Sequence, residues 1–296
     1  MSHYSLTSTT SSDGLTLVAR DYPAAAVPGM AASPARLPVI CIHGLTRNAS
    51  DFDEFAPIVA GLGRRVLALD VRGRGESDRD PDPDHYNAQV YADDVVRFMD
   101  TLGLPQAIFV GTSMGGLITM TLAGERIDRV AAAVLNDIGP WISHKGLARI
   151  AGYAGKRVLP ASWDEAAAYL KSLNAGAFPD NTDAEWDKWA RRAFAPDGNG
   201  MLAPRYDPDI AKGLQEGRLK GTSPGLRRGF RRLAGTRPTL LVRGALSDLL
   251  EDRQCAWMRR QAPAMRYAEV PGVGHAPMLT EPAALDAITR FLATLP

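Results

Sequence analysis

With 296 residues, 45% of them hydrophobic and 23% charged, the chain has the composition of an ordinary soluble globular protein with enough length for a large core. Its 34 basic and 33 acidic side chains leave a formal charge of +1, a balance that does not point to nucleic acid as a partner. No apolar run reaches the length of a membrane span and the first residues lack a basic start followed by an apolar stretch, so a cytoplasmic protein without membrane contact is expected. Two cysteines, Cys41 and Cys255, fall in a strand-like and a helix-like segment and read as reduced, structural thiols.

Residues 16–21 alternate in the manner of a half-exposed antiparallel strand near a sheet edge. The following AAAVPGMAASPARLP (residues 24–38) is rich in Ala and Pro and reads as a surface loop. Then the pattern changes to short apolar runs ending in Gly or polar residues: 37–44, 64–73, 107–113, 130–139, 238–244 and 266–272. Continuous runs of this kind belong to strands covered on both faces, as in a parallel sheet. Amphipathic segments lie between them, such as residues 91–103, where Tyr91, Val95, Phe98, Met99 and Leu102 stand near helical spacing and Gly103 is a stop signal. The alternation predicts an α/β fold with crossover helices. Between residues 140 and 233 the rhythm is lost and the composition turns helical, with Trp141, Trp163, Trp186 and Trp189. An inserted helical subdomain is the expectation there, since a structureless loop of that length does not suit a compact protein. The α/β part would then comprise residues 1–139 and 234–296.

FVGTSMGGLITM places Ser113 between Gly111 and Gly115, where a strand-like run meets a helix-like one. In G-x-S-x-G at such a junction the turn is sharp, the glycines make room, and the serine hydroxyl stands above the carboxyl edge of the sheet. The next amide, that of Met114, points from the helix N-terminus toward a developing negative oxygen. A serine needs a base, and five histidines are available. His3 lies near the start, His85 in the acidic loop SDRDPDPDHY and His144 at the beginning of the insert; His43 ends a strand and reads as a loop-holding residue. His275, in the glycine-flanked loop EVPGVGHAPMLTEP after the last strand, is the expected base.

Two acids sit just beyond predicted strands: Asp137 in LNDIGP and Asp248 in RGALSDLL. Asp248 is preferred as the partner of His275, because it follows the strand immediately before the histidine loop and gives the chain order Ser113, Asp248, His275. Asp137 stays as the alternative, or as a hydrogen-bonding residue at the rim. The amide of Leu45, after Gly44 in CIHGLTRN, is the expected second donor to an oxyanion. His43, Gly44, Asp137 and Trp141 are candidates for the substrate pocket, and Phe52 and Phe55 either wall it or anchor a helix. The insert's RRGFRR (residues 227–232) reads as a polar clamp or as a solvated helix face. No spaced cluster of His, Cys or carboxylates suggests a metal, and no cofactor is expected.

HG after one strand, DVRGRGESD after the next, GTSMGG at the turn, SD after a later strand and GVGHAP near the end, in this order, resemble the α/β-hydrolase superfamily over residues 16–296. The resemblance implies a mostly parallel sheet flanked by helices, with a helical cap where residues 140–233 lie. DVRGRGESD and GTSMGG are most similar to small-molecule esterases, enol-lactone hydrolases and carbon–carbon bond hydrolases. Haloalkane dehalogenases and epoxide hydrolases carry an aspartate at the turn, so Ser113 argues against both. What it implies is a serine hydrolase that cleaves a small carboxylic ester or lactone through an acyl-enzyme on Ser113. Cleavage of a ring-cleavage diketone, or a small-molecule receptor that no longer turns over, are the alternatives.

Overall fold

A computed structural model describes residues 4–26, 36–217 and 221–296. His3 and residues 27–35 of the Ala- and Pro-rich stretch lie outside them. The chain forms β1 (Ser5–Thr10), β2 (Thr16–Tyr22), β3 (Val39–Ile42), α1 (Phe55–Gly61), β4 (Val66–Leu69), α2 (Ala88–Thr101), β5 (Ala107–Thr112), α3 (Met114–Glu125) and β6 (Val130–Asn136). The intervening segment carries α4 (His144–Ala151), α5 (Trp163–Asn174), α6 (Asp183–Ala193), a hairpin of β7 (Phe194–Pro196) and β8 (Leu202–Pro204), and α7 (Lys212–Gln215). After it come α8 (Pro224–Thr236), β9 (Thr239–Gly244), α9 (Asp252–Gln261), β10 (Arg266–Val270) and α10 (Pro282–Ala293).

Eight strands make one sheet in the order β1-β2-β4-β3-β5-β6-β9-β10, antiparallel at β1/β2 and β2/β4 and parallel from β4 onward. The continuous apolar runs have a direct physical reason. Along β3, Ile40 and Ile42 enter one hydrophobic cluster with α2, α3 and α8, while Val39 and Cys41 enter a second with α1 and α10. Both faces of the strand are therefore removed from water, and no polar residue has a place in VICI. All six predicted apolar strands are present. The alternating strand at 16–21 is present as β2, antiparallel and next to the edge as expected; the edge strand beside it, β1, was not anticipated, because SLTSTT is largely exposed and gives no apolar signal.

The intervening segment has a small core of its own, built from Ala166, Leu170, Phe178, Trp186, Trp189, Ala190, Phe194 and Leu202. Trp186 and Trp189 stack at 5.4 Å inside it, and Thr182 and Glu185 cap α6 reciprocally. Although α8 falls inside the 140–233 insert of the sequence reading, it packs on the sheet's helical layer: Gly229 lies so close to the Met120 carbonyl of α3 that a side chain there would collide with it. Cys41 and Cys255 are free and buried. Among the described residues no helix is long and apolar enough to cross a membrane.

Candidate active site

β5 passes into α3 through Ser113, whose backbone adopts φ 51° and ψ −112°, a conformation rarely taken by a residue with a side chain. Close packing around the turn fixes the neighbouring glycines. A Cβ on Gly115 would overlap the Ile42 carbonyl of β3, and one on Gly111 would come within 2.5 Å of the Gly115 carbonyl carbon. The Ser113 N–H donates to the Asn136 carbonyl at the end of β6, 3.0 Å away, which ties the turn to the neighbouring strand.

His275 lies in the loop between β10 and α10. Its Nε2 is 2.8 Å from Ser113 Oγ and its Nδ1 is 2.8 Å from Asp137 Oδ2. Asp137, fully buried with φ 54°, already accepts from the Gly244 N–H (2.9 Å) and the Ser247 hydroxyl (2.6 Å). A carboxylate in that setting accepts, so Nδ1 carries the imidazole proton and Nε2 is left to receive the serine's. The histidine loop is itself held: Asn136 Nδ2 donates to the Pro277 carbonyl at 2.8 Å, and the Gly274 N–H donates to Ala177 between α5 and α6 at 2.6 Å.

The preferred acid of the sequence reading is therefore corrected. Asp248 does not bond His275; it turns away to a two-point ion pair with Arg149 of α4, at 2.6 and 2.9 Å. Burial pushes the Asp248 carboxyl up, but the Arg149 hydrogen bonds and charge, with His275 nearby, leave it below the ordinary carboxylate range. Asp137 takes the place: its backbone is left-handed, a conformation that Asp tolerates, and its carboxyl meets the Gly244 amide, the Ser247 hydroxyl and His275 together.

His43 is completely buried and makes no pocket wall. Its Nδ1–H donates to the Gly44 carbonyl at 2.7 Å and its Nε2 accepts from the Val71 N–H at 3.1 Å. Burial lowers its pKa to about 4, so the ring is neutral and braces two loops at once. Gly44 lines the pocket. Trp141 does not; it lies under the Arg253 guanidinium, bridged to Thr222. Neither the Leu45 nor the Met114 N–H has an acceptor among the described residues, and both residues flank Ser113 in space or sequence. Phe52 walls the pocket, whereas Phe55 is buried at the start of α1.

The pocket above Ser113 encloses about 1080 Å³ of atom-free space counted out to its open mouth. Sheet-edge loops supply the floor, and Ile150, Leu170, Leu173, Trp189 and Phe194 of the insert supply an apolar roof. Tyr153, Tyr169, Tyr206 and Asn174 also line the pocket. Arg47 is engaged by Asp51 at 2.6 and 2.7 Å and lies over the Trp189 ring, while Lys156 at the exposed rim makes no ion pair among the described residues. Arg227, Arg228, Arg231 and Arg232 are all exposed and outside the pocket, the solvated-face reading of that run. Sequence reasoning did not single out Asn136, and it named Trp189 only as one of the four tryptophans of the insert. Ser247 was visible only as the first letter of SD.

One set of metal-type side chains converges among the described residues: Asp13, Asp80 and His85. The buried Arg72 guanidinium sits among them, 2.7 Å from Asp13 and 2.5 Å from Asp80, and also bonds Asp94. An ion-pair network explains that cluster without a metal.

A profile of the alpha/beta hydrolase fold matches residues 38–282. The chain is 35% identical over 259 residues to a 3-hydroxybutyrate-oligomer hydrolase of Cupriavidus necator, covering 86% of this chain and 87% of that one. It is 29% identical over 261 residues to a 2-(acetamidomethylene)succinate hydrolase of Mesorhizobium japonicum, covering 86% and 87%. Among solved structures, an alpha/beta hydrolase of Novosphingobium aromaticivorans superposes with a TM-score of 0.90 at 38% identity, over 100% of both chains. These similarities run through sheet and insert alike, and the chain belongs to the α/β-hydrolase fold family.

Proposed function

We propose that the protein is a serine ester hydrolase acting on small carboxylic esters, lactones included, with short oligoesters of hydroxy acids as the preferred class. The observation that carries this reading is the unbroken line from Ser113 Oγ through His275 to Asp137, with 2.8 Å at each step. Ser113 attacks the carbonyl carbon while His275 Nε2 takes its proton, and Asp137 stabilises the resulting imidazolium. The Leu45 and Met114 amides receive the oxyanion. His275 then returns the proton to the leaving alcohol. Water, activated by the same imidazole, attacks the acyl-enzyme and releases the acid with Ser113 restored.

Support for the oligoester class comes from the relative named for 3-hydroxybutyrate oligomers, and from a pocket lined largely by apolar side chains with the exposed Lys156 among them. A hydroxy-acid oligomer has that polarity: an apolar ester body and one terminal carboxylate. The carbon–carbon cleavage alternative loses its expected clamp, since the arginines at 227–232 point elsewhere. The test is hydrolysis of p-nitrophenyl esters of increasing chain length, simple lactones and 3-hydroxybutyrate dimers and trimers by wild type and Ser113→Ala. Serine-dependent turnover is expected, with loss of about 10⁵-fold or more in the variant. Wild-type rates in Ser113→Ala would exclude the nucleophile, and a folded wild type inert on the whole panel would favour the receptor reading.

A further inference from the structure

Two buried arginines stand two residues apart in DVRGRGESD, and their surroundings differ sharply. Arg72 is surrounded by three carboxylates. Arg74, 1% exposed, bonds none among the described residues. Its Nε donates to the Leu45 carbonyl at 3.1 Å, Nη1 to the Arg72 carbonyl at 2.7 Å and the Tyr91 hydroxyl at 2.8 Å, and Nη2 lies 3.4 Å from Met114 Sδ. The guanidinium also lies over the Tyr91 and Tyr86 rings, at 5.0 and 5.5 Å. Every group that it touches is neutral. Burying a cation without an anion is costly, and the fold accepts the cost where the loop after β3 meets the start of α3.

Leu45 and Met114 are the two residues whose amides the mechanism above assigns to the oxyanion, and a single guanidinium contacts both. The backbone of the same residue reaches the insert: Arg74 bridges Tyr206, with the Gly75 N–H on the Arg205 carbonyl (2.9 Å) and the Asp207 N–H on the Gly73 carbonyl (2.7 Å). Tyr206 lines the pocket. We propose that Arg74 is a positioning residue for the oxyanion site: its fork fixes the Leu45 turn against the Met114 end of α3, and its charge, bonded to no carboxylate among the described residues, favours negative charge developing on the substrate oxygen. The proposal rests on the Ser113 mechanism above. A planar fork suits the role better than an ammonium, because it holds two carbonyls, a hydroxyl and a sulfur at fixed angles together.

The experiment compares wild type, Arg74→Met and Arg74→Lys by two readouts. One is the rate at which a p-nitrophenyl alkylphosphonate labels Ser113, forming the Oγ–P bond, expelling p-nitrophenolate and passing the serine proton to His275. The other is kcat and KM on the best ester of the panel. Arg74→Met is expected to lower both the labelling rate and kcat by about 30- to 1000-fold with KM changed less than about threefold, since the oxyanion exists only in the transition state. Arg74→Lys should recover part of that loss and remain about tenfold below wild type. Labelling and kcat within threefold of wild type in folded Arg74→Met, or a loss confined to KM, would overturn the proposal. If Arg74→Met does not fold, Arg74→Lys decides: a tenfold fall in both rates at unchanged KM supports it, and wild-type rates reject it. A wild type that is labelled yet hydrolyses no ester ends the ester reading and leaves Arg74 to be judged by labelling alone. A wild type that is not labelled ends both.

Discussion

The loops after β6 and after β9 begin alike and end differently. Each carries an aspartate just beyond the carboxyl edge of the sheet, on adjacent parallel strands. Asp137 turns inward with φ 54°, is fully buried, and collects the Gly244 amide, the Ser247 hydroxyl and His275. Asp248 turns outward and is taken by Arg149 of the insert. The β9 loop still serves the inner site, but through Ser247, the residue before its aspartate. Two acids at the same edge of the sheet, one directly after β6 and the other a short way past β9, are thus separated by backbone torsion and by which partner reaches them. One acid is held for a histidine. The other fastens the insert to the sheet.

The largest break in that comparison is expected from Asp137→Asn. It keeps the shape and removes the charge, so kcat/KM should fall by about 10⁴-fold while the thermal midpoint moves little. A loss of less than tenfold would return the orienting role to Asp248. A smaller effect is expected from Arg149→Met, which frees Asp248: KM should rise severalfold as the roof loosens, with kcat within about threefold of wild type. A collapse of kcat in that variant would show that the ion pair acts on the chemistry.

The smallest effect is one of pH. Arg149 holds the Asp248 carboxyl below its unfolded value, so the pair stabilises the fold above the ordinary carboxylate range and is lost as pH falls through the depressed folded value. Wild type should therefore lose more thermal stability than Arg149→Met between about pH 5 and pH 3. Parallel acid limbs for the two proteins would mean that the pair contributes nothing to folding.

What was legible in the sequence follows from the same physics. Six strands showed themselves because both faces are covered, as at β3, where Val39 to Ile42 divide between two cores. β1 was silent because SLTSTT is an exposed edge with no apolar face. Ser113 was readable because Gly111 and Gly115 answer to steric limits within a few residues, and His275 because the other histidines had no suitable loop. The acid was not. Its choice depends on the torsion of one residue and on Arg149, 99 positions from Asp248 in the chain, and neither leaves a local pattern. Trp141 was misplaced for a similar reason: it follows β6 closely, yet its ring lies against Arg253, while Trp189 reaches the pocket from α6.

Asp137 accepts the Nδ1 proton of His275 across 2.8 Å. Low-field proton NMR of wild type, Asp137→Asn and Asp248→Asn tests it most directly, since an imidazole N–H bonded to a carboxylate gives a far-downfield resonance. This resonance should persist in Asp248→Asn and disappear in Asp137→Asn. Its survival in Asp137→Asn together with its loss in Asp248→Asn would contradict the assignment.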